Sequence, residues 1–143
     1  MTFDHFLKAQ ESSYETALSE IKKGCKTGHW MWFMFPQIAG LGSSPTARKY
    51  FLQNLNEAHA YLAHPVVGPR LVELTKAFLS VQDKSAKSIL GYPDNLKMKS
   101  SMTLFALCSQ TGSVFDQVLR DYFDGERCQF TLKKYRDEQR INR

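Results

Sequence analysis

Apolar residues recur three and four positions apart along most of this chain, and that spacing leaves few architectures open. A helix turns about once every 3.6 residues, so such a stripe lines one face of it, whereas a half-buried strand would alternate strictly. Phe3, Phe6, Leu7 and Gln10 fall on one side of a first helix. Tyr14, Ala17, Leu18 and Ile21 repeat the pattern after Ser12-x-x-Glu15, which reads as a capping box. Lys22 and Lys23 suit the last turn of that helix, and Gly24 suits its end. Ser44-Pro45 opens a further helix through Ala47, Tyr50 and Phe51. Leu55, Ala58, Tyr61 and Leu62 form another stripe, ended by His64-Pro65, and Leu71, Leu74 and Phe78 follow Pro69.

Beyond a polar break at Gln82-Asp83-Lys84, Ser85–Leu90 reads as one short turn stopped by Gly91. Asp94 then caps a helix carrying Leu96, Met102, Phe105 and Cys108, and Ser113 caps one carrying Phe115, Val118, Leu119, Tyr122 and Phe123. Phe130, Leu132 and Tyr135 are enough to dock the tail weakly. One strand is expected, the aromatic stretch Trp30–Phe35 before Pro36. The reading is an all-α fold of six or seven helices, a single domain over residues 1–143, a length typical of one domain.

Charge and cysteine content bound the partners. Lys and Arg total 19 against 14 acids, a net charge of +5, which suits an anionic ligand or serves solubility. Residues 84–99 hold four lysines and one acid, and 126–143 hold six basic residues and three acids. Neither is an unbroken polybasic run, which argues against a nucleic-acid partner. Cys25, Cys108 and Cys128 have no C-x-x-C spacing, and His5, His29, His59 and His64 no chelating one, so neither a disulfide framework nor a metal is expected. No cofactor is implied. The longest apolar stretch, Trp30–Pro36, is far short of the roughly 20 residues of a membrane span, and Asp4, His5 and Lys8 interrupt any leader; a cytoplasmic protein is expected.

Three segments carry the chemistry a site would need. In Gly28–Gln37, four aromatic rings and the His29 imidazole fall within seven positions. A solvated loop would not hold them, so most are core, with Trp32 and Phe33 expected to be buried. His29 and Gln37 stand at the two ends, and Trp30 and Trp32 offer surfaces on which a base stacks. Gly40-Leu41-Gly42-Ser43-Ser44-Pro45 runs into a helix start, where free N–H groups can cradle an anion. It matches neither a Walker loop nor a dinucleotide fingerprint. On the third segment, Asp94, Lys97 and Ser101 share a helix face, and Lys97 would become a base toward Ser101 if burial lowered its pKa. The bland alternatives are an ordinary capped loop and a solvated helix face. Arg70 and Glu73 are expected to pair on the surface of their helix.

These segments resemble, over nearly the whole chain, a family of small bacterial and fungal proteins of unknown function, of the domain-of-unknown-function 1810 type. Some of its members carry the name calpastatin. The resemblance rests on Phe6-Leu7-x-Ala9-Gln10, on Gly28-His29-Trp30-Met31-Trp32-Phe33-x-Phe35-Pro36-Gln37, on Gly40-Leu41-Gly42-Ser43, on His64-Pro65-x-x-Gly68-x-Arg70-Leu71, and on Asp94-x-x-Lys97-x-x-Ser100-Ser101-Met102-Thr103-Leu104-Phe105. It implies a helical domain and no established activity. Where such proteins tend to carry an aspartate before Thr131-Leu132, this chain has Cys128. A looser likeness, over Phe6–Gln10 and scattered positions, is to small helical glycohydrolases that act on ADP-ribose-type ligands.

Two functions follow as expectations. One is a pocket for a small anionic nucleotide-like or ADP-ribose-like ligand, lined by His29, Trp30, Gln37, Gly40, Gly42, Ser43, Asp94, Lys97 and Ser101. The other is a protein-interaction or inhibitor module, with a tryptophan exposed on a flat patch. The test that separates them is whether His29 and Lys97 lie on one face of the folded chain.

Overall fold

The fold is organised around a helix that is buried nearly all the way round. In this computed structural model, which describes residues 2–141, Asp94–Leu107 forms a central helix. Met98 and every residue from Ser100 to Ala106 lie in the interior. Such a helix cannot be amphipathic, which is why its polar residues need internal partners. Thr103 Oγ1 donates to the Lys99 carbonyl at 2.7 Å, and Ser100 meets Thr131 at 3.3 Å.

Ten helices are present among the described residues, not six or seven: α1 (Asp4–Glu11), α2 (Tyr14–Lys23), α3 (Met31–Met34), α4 (Pro45–Tyr50), α5 (Leu55–Ala63), α6 (Val67–Ser80), α7 (Ala86–Leu90), α8 (Asp94–Leu107), α9 (Val114–Phe123) and α10 (Gln129–Ile141). The difference comes from α3, expected as a strand, and α7, expected as a single turn; with four and five residues they have too few turns to print a period. It comes also from the charged tail, which forms the full helix α10. α5, α7, α9 and α10 all pack on α8, and α6 bridges α2, α5 and α9. One continuous core runs from Phe3 to Leu119.

Several local expectations are met. Gly24 ends α2 at φ 74°, and Ser44 Oγ accepts the Ala47 N–H at 3.1 Å as the cap of α4. His64 ends α5, and its Nδ1 accepts the N–H groups of Val66 and Val67 at the start of α6.

Others are overturned. The expected strand at 30–35 is the helical turn α3, because Met34 and Phe35 donate to the Trp30 and Met31 carbonyls. The extended pairing comes just after it, a single parallel bridge of Ile38 with Leu52. Ser12 is not a capping-box residue: it ends α1, while Ser13 precedes α2 and makes no side-chain cap. Arg70 does not pair with Glu73. Its guanidinium lies over the Tyr14 ring, 5.3 Å from the centroid, and Glu73 accepts from the Tyr14 hydroxyl.

Candidate functional site

The segment between α2 and α3 is held by one carboxylate. Glu20, on α2, accepts from the N–H groups of Thr27 and Gly28, the Thr27 hydroxyl and the Trp30 indole N–H, each at 2.9 Å. Burial works against its charge, but these donors outweigh burial and hold the carboxyl down to about 2. Lys26, in the same segment, donates its N–H to the Ile89 carbonyl at 2.8 Å. The chain from 26 to 30 is thereby fixed at both ends, and its side chains are aimed rather than free.

The Lys26 ammonium is aimed at Asp94. Lys26 Nζ lies 2.8 Å from one Asp94 oxygen, and Lys97 Nζ lies 2.9 Å from the other. The Asp94 side chain keeps only 17% of its exposure, Lys26 9% and Lys97 20%. Each ammonium also covers an indole. Lys26 is 5.2 Å from the Trp30 ring centroid, and Lys97 is 4.2 Å from that of Trp32, a cation–π distance. Burial raises the Asp94 pKa, but the bonds from Lys26 and Lys97 and their charges prevail, so the carboxyl titrates below its usual range. Asp94 is therefore an ionised acceptor near neutral pH.

An ammonium has three donors. Lys26 uses one on Asp94 and another on the Gly28 carbonyl at 2.6 Å. Lys97 uses one, on Asp94. Two cations about one carboxylate leave a net positive charge with unspent donors on Lys97. These groups line a pocket of about 330 Å³ together with His29, Met31, Trp32 and Thr46. A larger cavity of about 620 Å³ opens against α6, lined by Leu62, Val72 and Phe115 with Glu73 and Lys76. Its wall is mainly apolar and holds no comparable cluster of charge, so size alone does not mark the chemistry.

The family described as Protein of unknown function (DUF1810) matches residues 1–135. The chain belongs to this family. A solved structure, the conserved hypothetical protein Rv1873 from Mycobacterium tuberculosis, is similar at 45% identity with a TM-score of 0.89. The similarity covers 91% of this chain and 93% of that one. No curated protein matches. The neighbour shares this fold, and neither it nor the DUF1810 assignment names a reaction.

Within this DUF1810 fold, His29, Asp94 and Lys97 line one pocket. The other candidates are placed differently. Trp30 is 2% exposed with its indole N–H spent on Glu20, so Trp32, half-buried, is the indole on the pocket wall. The expected burial of Trp32 and Phe33 belongs instead to Trp30, Met31, Met34 and Phe35; Phe33 too is half-buried. Gln37 is interior, its carbonyl taken by the Leu52 N–H and its side-chain nitrogen without a partner.

Gly40 has a packing explanation, and both Gly40 and Gly42 have a backbone one. A Cβ on Gly40 would stand 2.6 Å from the Phe130 ring, and one on Gly42 would touch Trp32 and Ala47 at 3.4 Å, with φ at 110° and 117°. Ser43 is exposed on that loop. Asp94 is not a cap: Pro93 precedes the helix, and the Asp94 carboxylate is turned to the two lysines. Ser101 is fully buried, and its hydroxyl has no partner, so no Ser–Lys pair forms with Lys97. Cys128 does not line the pocket; its N–H donates to Thr103 Oγ1 at 3.0 Å. Lys26 was missed because nothing local marks it. Its partner Asp94 is distant in the chain, and only the folded loop brings them together.

Proposed function

We infer that the pocket around Asp94 binds a small anionic ligand of the nucleotide or ADP-ribose-like class. The observation that carries this reading is the Lys97 ammonium, half-sheltered, with two donors unspent beside a net positive cluster. An anionic group placed there gains charge-assisted hydrogen bonds in a partly desolvated setting. Trp32 and Met31 supply an apolar wall for the rest of the ligand, and His29 and Thr46 supply further polar groups at the edge. Ser101, fully buried one turn further along α8, does not reach this pocket and takes no part in the reading. An interaction surface built on a tryptophan would need one exposed on a flat patch, whereas Trp30 is interior and Trp32 lines a concavity.

Titration calorimetry with ADP-ribose, AMP and inorganic phosphate tests the reading. Binding of at least one is expected, and Lys97→Ala should weaken it about ten- to a hundredfold, the worth of one charged hydrogen bond. Thermal stability should change little. Absence of binding by all three at millimolar concentration, or binding indifferent to Lys97→Ala, would overturn it.

A further inference from the structure

α10 carries a second, independent feature. At about 100° per residue, Thr131 and Glu138 point one way along this helix, and Lys133, Arg136 and Arg140 point the other. Thr131 is fully buried against Ser100, and Glu138 accepts the Leu55 N–H at 2.9 Å, so that first direction faces the protein. Lys133, Arg136 and Arg140 occupy an opposite wedge of about 60°, with Gln129 in the same wedge. All four are exposed. None of the three cations makes an ion pair among the described residues.

The linear count concealed this. Residues 126–143 hold three acids, which dilute six basic residues. Folding removes two of those acids from the ridge: Glu138 is turned inward to Leu55, and Glu126 pairs with Lys99 at 3.2 Å. Asp137, half-buried, lies on the flank. What remains outward is a straight, acid-free ridge about 10 Å long between Lys133 and Arg140, at a rise of about 1.5 Å per residue.

We propose that this ridge of α10 docks on the phosphate backbone of a nucleic-acid duplex, without reading its sequence. Charge complementarity fixes the class, since phosphates recur along a duplex at a spacing three aligned cations can follow. The sequence pI near 9.2 adds a favourable field over the whole molecule. A single strand is the poorer match, because single-strand sites add aromatic rings for base stacking. The one ring beside the ridge, Phe130, lies against Gly40 and is 37% exposed, and one ring does not make a stacking track for successive bases. Contacts to phosphate carry no sequence information, so no base preference is expected.

Fluorescence anisotropy with a labelled 20-base-pair duplex lacking terminal phosphates tests this, because such a probe offers little to the Lys97 pocket. Binding should weaken with salt at a log–log slope of about −2.7, about −0.9 for each of three neutralised phosphates. The triple variant Lys133→Gln, Arg136→Gln, Arg140→Gln should bind more than about tenfold more weakly at 50 mM salt and lose most of that slope. Its circular dichroism and melting should match the parent. Lys22→Gln with Lys23→Gln, exposed cations off the ridge, should bind as the parent does. No duplex binding at 50 mM salt, an unaffected triple variant, or an equal loss in the Lys22/Lys23 pair would overturn the proposal. So would displacement of the duplex by polyglutamate, or binding to anionic vesicles, at equal or greater affinity.

Discussion

Trp30 and Trp32 are two residues apart, each lies under a lysine ammonium, and the two lysines share Asp94. Their situations nevertheless differ completely. Trp30 is interior, with its N–H bonded to Glu20 and its ring packed near Phe35. Trp32 is half-buried, touches Phe51 edge-on and forms part of a pocket wall. The helical turn α3 makes the difference, because a two-residue step on a helix swings a side chain by about 200°. A strand would have put both rings on one face. The contrast teaches that the same residue, under the same kind of cation, is a structural anchor on one side of α3 and an open pocket wall on the other.

The strongest way to break that contrast is to remove each ring. Trp30→Ala should cost about 3–5 kcal/mol, the range for an aromatic deleted from a core. Trp32→Ala should cost well under that, about 1–2 kcal/mol, because its site is open to solvent and can relax. It should nevertheless weaken binding of the anionic ligand. Urea midpoints measure both, and equal losses of stability would erase the distinction.

Asp94→Asn comes next, because Asp94 joins the two sides. The substitution leaves two partly sheltered ammoniums without their counter-charge. Removing one partner of a fully buried pair costs about 3–5 kcal/mol; with these side chains 9–20% exposed, about 2–3 kcal/mol is expected. The loss should shrink in Asp94→Asn combined with Lys26→Met, since the second change removes one of the orphaned charges. Chemical denaturation of the single and double variants checks this.

Much of the helical frame was legible in the sequence, because α1, α2, α5, α6 and α9 each present a buried stripe of several turns. α3 was not, because four aromatic and sulfur-containing residues before a proline look the same as strand or turn until their carbonyls find donors. Of the site, Lys97 and His29 were legible as polar groups beside apolar sequence. Asp94 was legible too, but in the wrong role. An aspartate at a helix start normally caps, and only Lys26, arriving from another part of the chain, redirects it. Glu20 gave no signal, because its four donors lie in a loop whose shape Glu20 itself maintains.

Glu20 gives a pH test of the Trp30 side. Its carboxyl is held near 2 against an ordinary value of 4.5. A depressed folded value means the stabilisation is complete above about pH 4.5 and is lost as the pH falls toward 2. Glu20→Gln should flatten this part of the acid-unfolding profile and release the indole of Trp30, seen as a change in tryptophan fluorescence. The Trp32 side should respond to Glu20→Gln only through Lys26 and His29, the groups of that segment that reach the pocket. An acid profile identical to that of the parent would mean that Glu20 does not hold the loop.

The smallest effect expected is at Ser44, and it decides what the glycine loop beside Trp32 is for. Two glycines leading into a helix start resemble an anion cradle, yet α4 has six residues and Ser44 Oγ already takes the Ala47 N–H. Gly42 is in addition explained by its φ of 117°, with Trp32 in ordinary contact beside it. The loop is therefore a support for the Trp32 wall rather than a source of donors. On that account Ser44→Ala costs about 1 kcal/mol, the usual worth of a cap, and leaves ligand affinity where it was. If the loop N–H groups bound the anion, loss of the hydroxyl would alter the competition for them and shift the affinity. Calorimetry on Ser44→Ala beside its thermal midpoint separates the two, since a changed midpoint with unchanged affinity assigns the loop to the wall.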